Sequence, residues 1–168
     1  MANTYQLIEA KTLTTTTASI TFSSIPITYT DLKIVTSSRA DFATEAFEIA
    51  LTFNGNTSNY SAKQLYGSGS AAGSSSPTIR PAGFITGTTA TSNTFANGEI
   101  YILNYLSSNY KSYSVDSTTE NNGTISYMNF VAGLWSDTSA INSVSLAPTS
   151  GYNFVAYSNF YLYGIKKS

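Results

Sequence analysis

Two carboxylates set a few ångströms apart can cleave a glycosidic bond, one protonating the leaving oxygen and the other acting as nucleophile or base. The chain offers nine: Glu9, Asp31, Asp41, Glu45, Glu48, Glu99, Asp116, Glu120 and Asp137. Most lie beside turns or on the polar side of an alternating segment. Glu48, on the outward side between Phe47 and Ile49, and Glu99, just inside an apolar run, are the least ordinary. Solvated or edge-protecting carboxylates are the expected explanation of both, and no catalytic residue is assigned.

The stretch Asp116-Ser117-Thr118-Thr119-Glu120-Asn121-Asn122 is the one oxygen-rich run that could hold calcium. It lacks the acidic spacing and the glycine of an EF-hand loop, so a polar loop without metal is expected. Asn56-Thr57-Ser58, Asn59-Tyr60-Ser61 and Asn122-Gly123-Thr124 fit the glycosylation sequon, as chance allows in a chain rich in Asn, Ser and Thr. Histidine and cysteine are both absent. Disulfides, thiolate metal sites, cysteine nucleophiles and imidazole bases are thereby excluded. Neither a cofactor nor a metal ligand set is expected.

Thirteen Tyr and nine Phe beside a single Trp make 14% of the chain aromatic. Tyr suits half-buried strand positions and also interfaces, because its ring is apolar and its hydroxyl still bonds water. Tyr101 and Tyr105 fall on one side of an alternating segment, and Tyr161 and Tyr163 on one side of another. Were those strands neighbours, the four tyrosines would form an interface patch, and Ile100, Ile102, Phe160 and Leu162 would supply the core face. Coverage by a second sheet of the same molecule is the competing explanation. Trp135 and Tyr101 are the candidates for stacking on a sugar ring.

The elements that must position these residues are strands. Phe47, Ile49, Leu51 and Phe53 alternate with Ala46, Glu48, Ala50 and Thr52, a period of two that a helix would scatter around its axis. Asn54-Gly55-Asn56 supplies positive φ for a hairpin, with a return strand from Tyr60 to Tyr66. Before them come an edge strand near Tyr5 to Glu9, a short one at Ser19 to Phe22, and a third from Thr30 to Ser38 with Leu32 and Ile34 on its buried face. After them, residues 67–77 read as a Gly/Ser-rich surface loop. Ile79 to Ile85 is a weak strand, interrupted by Pro81 and Gly83. Asn97-Gly98 marks a turn into Glu99 to Leu106, which pairs with Asn109 to Ser117. Asn121-Asn122-Gly123 then turns into a strand from Thr124 to Trp135, with Val131 and Trp135 facing opposite to Met128 and Phe130. The chain closes with Val144 to Leu146 and Phe160 to Ile165. Roughly ten strands with Gly, Asn and Pro turns predict an all-β antiparallel sandwich of jelly-roll type, one domain over 1–168.

Hydrophobic residues are 42% of the chain and charged residues only 10%, with net charge −1. Such a chain can bury a core and has no basic field for nucleic acid. Met1 to Leu13 has neither the basic nor the apolar region of a signal peptide, and no apolar run reaches the roughly 18 residues of a membrane span. Synthesis in the cytosol without membrane insertion is the expectation.

Several segments resemble small β-sandwich structural proteins of tailed bacteriophages: Ser19-Ile20-Thr21-Phe22 with Ile25-Pro26 and Tyr29-Thr30-Asp31-Leu32, Phe53-Asn54-Gly55-Asn56 with Asn59-Tyr60-Ser61, and Asn153-Phe154 with Ser158 and Phe160 to Ile165. The ending Leu162-Tyr163-Gly164-Ile165 is the most specific of them. Where the family pattern would place Gly before Ser158 this chain has Tyr157, so the turn into the last strand need not be the same. The resemblance implies a virion component without enzymatic activity. One form is a capsid decoration (cement) protein, a homotrimer partnered by the major capsid protein. The alternative is a tail fibre or receptor-binding module that recognises glycans. No heptad segment for a fibre shaft is visible, which favours decoration.

Overall fold

The structure is a computed structural model and describes residues 4–123 and 125–166. Its strands are β1 (Tyr5–Thr12), β2 (Ile20–Phe22), β3 (Asp31–Ser38), β4 (Ala46–Phe53), β5 (Tyr60–Gly67), β6 (Ala72–Ser75), β7 (Pro81–Thr86), β8 (Ala96–Ile102), β9 (Lys111–Thr118), β10 (Met128–Trp135), β11 (Val144–Pro148) and β12 (Asn159–Ile165). They form two antiparallel sheets packed as a sandwich. The larger sheet has the order β1-β12-β3-β8-β9-β10-β5-β6, and the smaller β2-β11-β4-β7. The chain switches layer at nearly every connection, as in a jelly roll. The meander β8-β9-β10 and the hairpin β5-β6 remain within the larger sheet. Among the described residues no helix is long and apolar enough to cross a membrane.

Alternation decides which side chains meet between the layers. Leu32 and Ile34 of β3, Ile100 and Ile102 of β8, Val115 of β9, Val131 and Trp135 of β10, and Phe160 and Leu162 of β12 point inward. Phe22, Ile49, Leu51, Phe53, Ile85, Val144 and Leu146 meet them from the smaller sheet. The other side of each strand in the larger sheet forms a broad outer face that the smaller sheet does not cover.

Several sequence expectations change. Asn54 and Gly55 do adopt positive φ (53° and 71°), yet β4 and β5 are not hairpin partners, since the turn carries the chain from one sheet to the other. Asn97-Gly98 is not a turn but lies inside β8, paired with β3 and β9. Gly98 is there for space: a Cβ would sit 2.8 Å from Thr36 Oγ1. The segment 67–77 is not all loop, because Ala72 to Ser75 form β6 along β5. An edge strand gives only its backbone to the ladder, so side chains too small to pack a core suffice. The weak strand expected at 79–85 is the mostly buried β7, with Pro81 at its first position, where no ladder N–H is needed. β10 begins at Met128; Thr124, expected to start it and third in the Asn122 sequon, lies outside the described residues. Tyr157 has φ 69°, the left-handed conformation that glycine favours, so the turn into β12 keeps a glycine-like backbone on a tyrosine.

Candidate site on the outer face of the larger sheet

The register brings most of the predicted tyrosines together, with one strand between them. β8 and β12 are not neighbours; both pair with β3, so that Tyr163, Lys33 and Tyr101 lie side by side in one row. In the next row Tyr161 is followed by Val35, Glu99, Asp116, Phe130 and Leu65. Tyr101, Tyr161 and Tyr163 are half-buried on this face.

Tyr105 is not part of it. The segment after Ile102 leaves the sheet, and Tyr105 turns into the core, fully buried, with its hydroxyl donating to the Pro26 carbonyl. Trp135 is also unavailable as a sugar platform: it is 1% exposed, stacked on Tyr60 at 6.1 Å and 22°. Its position on the inward side of β10 is the one its alternation with Val131 predicts, and sugar stacking cannot be reconciled with it.

Lys33 organises the polar contacts of the face. Its ammonium is 2.7 Å from a Glu99 carboxylate oxygen and lies over the Tyr5 ring, 5.6 Å from the centroid. It offsets the repulsion between Glu99 and Asp116, like charges directly opposite on β8 and β9. The Tyr101 hydroxyl donates to Asp31 Oδ2 at 2.8 Å, and the other Asp31 oxygen accepts from the Asn104 N–H at 2.7 Å. Burial, and then the adjacent carboxylate, push the Tyr101 hydroxyl up to about 12. A shallow pocket of about 310 Å³ lies here, lined by Tyr5, Lys33, Val35 and Tyr163.

Toward the other end of the face the side chains become apolar and exposed. Leu65, Met128 and Phe130 are 63%, 65% and 55% exposed. Phe130 stands directly opposite Leu65, and Met128 opposite Gly67. They wall a trough of about 440 Å³ floored by Gly67 and Ala72. The sequence placed Met128 and Phe130 on the side opposite Val131; that this side is open, and that Leu65 joins it, needs the sheet order.

Glu48 and Glu99, the two least ordinary carboxylates of the sequence, do not come together. Glu48 lies on the outward side of β4 and Glu99 on that of β8, on opposite outer faces of the sandwich. Asp41, Glu120 and Asp137 are all held below the ordinary carboxylate range. For Asp41 the first cause is the Asn153 side chain; for Glu120 and Asp137 it is the backbone N–H groups of Asn122 and Ser139. A lowered pKa leaves each ionised near neutral pH, with no proton to give a leaving group, and makes its carboxylate a weaker base. Among the described residues no group of three or more acidic side chains gathers at one place. Lys111, fully buried, donates hydrogen bonds to the carbonyls of Ser107 and Asn109 at 2.7 and 2.6 Å, closing the link between β8 and β9.

The chain matches no protein-family model and no curated protein.

Proposed function

We propose that the chain is a non-enzymatic structural subunit of a phage virion, a capsid decoration (cement) protein that acts as a homotrimer and bridges neighbouring capsomers of the major capsid protein. The observation that carries this reading is the uncovered outer face of the larger sheet. Seven strands about 25 Å long and the shorter β6, about 4.8 Å apart, span roughly 800–900 Å², and a stable contact needs on the order of 800 Å² from each partner. Its tyrosine and apolar rows suit burial against another protein. The resemblance of the ending Leu162-Tyr163-Gly164-Ile165 to small phage structural proteins supports the assignment to a virion, with synthesis in the host cytoplasm.

Quantitative mass spectrometry of purified virions tests it. Near-stoichiometric copies relative to the major capsid protein are expected for a decoration protein. Complete absence from the particle would refute the virion assignment. A handful of copies per particle would instead point to a tail or fibre part, the second reading. That reading is favoured by the Tyr5, Lys33 and Tyr163 pocket, where tyrosine rings and an ammonium could hold a sugar. Glycan-array binding that survives Tyr163→Ala would end it.

A further inference from the structure

The larger sheet has two edges, and they are built differently. β1 carries a bulge between Leu7 and Glu9 and a Glu9–Lys11 ion pair at 2.6 Å, two devices that keep another strand away. In the smaller sheet, the β2 edge has three residues, and β7 is mostly buried and starts at Pro81. β6 has none of these protections: its residues Ala72, Gly73, Ser74 and Ser75 include no charge, no proline and no bulge.

The hydrogen-bond alternation of the β5–β6 hairpin identifies which groups are free. The Ser68 N–H donates to the Ala71 carbonyl at 2.9 Å. Pairs along an antiparallel ladder alternate, so Tyr66–Gly73 and Gln64–Ser75 are the bonded pairs, while Gly67–Ala72 and Leu65–Ser74 are not. The N–H and C=O groups of Ala72 and Ser74 therefore point away from β5, out of the edge. On the outer face Ala72 floors the trough walled by Leu65, Met128 and Phe130, and Ser74 lines the adjoining hollow beside Leu65 and Phe130.

We propose that the β6 edge and this trough form one docking site for an extended segment of a partner protein, added as a further strand of the sheet, without acidic residues, and carrying a large apolar side chain at every second position. Only a strand satisfies a row of edge N–H and C=O groups. Alternate side chains of that strand stand over Ala72 and Ser74, whose small size lets long apolar groups lean across to Leu65 and Met128. Ala72 to Ser75 carry no charge, and the one ionised group lining the trough is Asp116 at its wall, so an acidic residue facing it would meet a like charge. A second copy pairing β6 on β6 would use the edge but place Ala72 and Ser74 over the partner's floor, leaving all three apolar walls uncovered. The site is a property of this chain and does not depend on a place in a virion.

The probe is a fluorescein-labelled synthetic peptide, Lys-Leu-Thr-Phe-Thr-Leu-Thr-Lys, with Lys-Thr-Thr-Leu-Phe-Leu-Thr-Lys as a control of the same composition without alternation. Binding is followed by anisotropy on the whole chain. The alternating peptide is expected to saturate the protein and the control to bind at least tenfold more weakly. Ser74→Pro, which removes an outward N–H and leaves the β5 ladder intact, and the pair Leu65→Ser with Phe130→Ser are each expected to weaken binding tenfold or more. Hydrogen exchange at the Ala72 and Ser74 amides of the unsubstituted chain should slow when the peptide is added, a readout that stands even if a variant fails to fold. Equal binding of the two peptides, no saturable binding, unchanged binding by Ser74→Pro, or unchanged exchange at both amides would overturn the site. So would a concentration-dependent dimer that Ser74→Pro abolishes, because a second copy would then own the edge.

Discussion

The ring of Tyr113 lies flat over the backbone of Gly133, its direct cross-strand partner, so closely that a Cβ on Gly133 would sit 2.1 Å from Cζ of the tyrosine. The same pairing recurs where Tyr66 covers Gly73, its partner across β5 and β6, and where Tyr29 covers Gly164. Each glycine creates a slot in the sheet that an aromatic ring fills, which gives part of the tyrosine content a structural purpose.

Gly133→Ala is accordingly expected to destabilise the fold by about 1–3 kcal/mol, the usual cost of overpacking a filled core. Gly67→Ala is the matched control, because the nearest atom to its Cβ is 3.7 Å away and its φ is not positive; its effect should stay within about 0.5 kcal/mol. Urea denaturation of both variants checks this, and equal midpoints would contradict the contact.

These slots explain where the sequence was legible and where it was not. The period of two in Phe47 to Phe53 and in Phe160 to Tyr163 depends only on neighbours along the chain, and it placed the strands and most of their faces. Sheet partners depend on distant residues. Asn54-Gly55 specifies a reversal of direction but not whether the chain returns to the same sheet, and Asn97-Gly98 has the residue types of a turn while Gly98 serves close packing against Thr36. Tyr105 lies in a segment without regular period, so nothing local shows that its ring turns inward. The tyrosine face was readable strand by strand; that β3 separates its two halves was not.

Arg39 clamps the loop between β7 and β8. Its guanidinium donates to the carbonyls of Thr91 and Thr94 at 2.9 Å, Ala90 at 3.1 Å and Thr88 at 3.4 Å. Arg39→Ala should cost about 2–3 kcal/mol, since hydrogen bonds from a charged donor are the stronger kind. Arg39→Lys should recover little of that, because a single ammonium cannot span oxygens arranged around a planar fork. Hydrogen exchange across Thr88 to Thr94 should accelerate in both variants; exchange confined to its original rate would show that the loop holds itself.

Asn54 performs two tasks that substitution can separate. Its backbone is left-handed, and its side chain accepts from the N–H groups of Asn142 and Ser143 at 2.8 and 3.2 Å while donating to the Ala140 carbonyl at 2.9 Å. Asn54→Gly keeps the backbone and loses the side-chain bonds, for an expected loss of about 1–2 kcal/mol. Asn54→Ala loses both and should cost roughly 1 kcal/mol more. Thermal melts that rank the two variants in the opposite order would contradict this division.

Tyr157 offers a gain in stability. Its side chain is 75% exposed and its φ is 69°, a conformation costing about 1–2 kcal/mol for a residue with a Cβ. Tyr157→Gly removes that strain against an entropic penalty of about 0.5–1 kcal/mol. The net expectation is a gain of about 0.5–1 kcal/mol in urea denaturation, and a lower midpoint would mean that the exposed ring contributes packing.

The phenols of the aromatic cluster are expected to weaken the fold at alkaline pH. The Tyr60 hydroxyl accepts from the Phe53 N–H at 2.8 Å inside the aromatic cluster, and burial pushes its pKa from 10.0 up to about 12; burial also raises that of Tyr113. A folded-state value above the unfolded one means that the folded chain prefers the protonated phenol. That stability is complete below about pH 10 and is lost as the pH rises through about 12. At about 1.4 kcal/mol per unit, reduced by solvent screening because Tyr60 is only partly buried, Tyr60 accounts for a loss on the order of 1 kcal/mol across that window. Tyr60→Phe should lower stability at neutral pH by about 1 kcal/mol, because the Phe53 N–H loses its acceptor, and should make the alkaline decline shallower. Urea midpoints followed from neutral pH into that window test both effects together. An alkaline slope identical in the two proteins would show that the phenolate forms without cost to the fold, and would overturn the desolvation assigned to the partly buried Tyr60 hydroxyl.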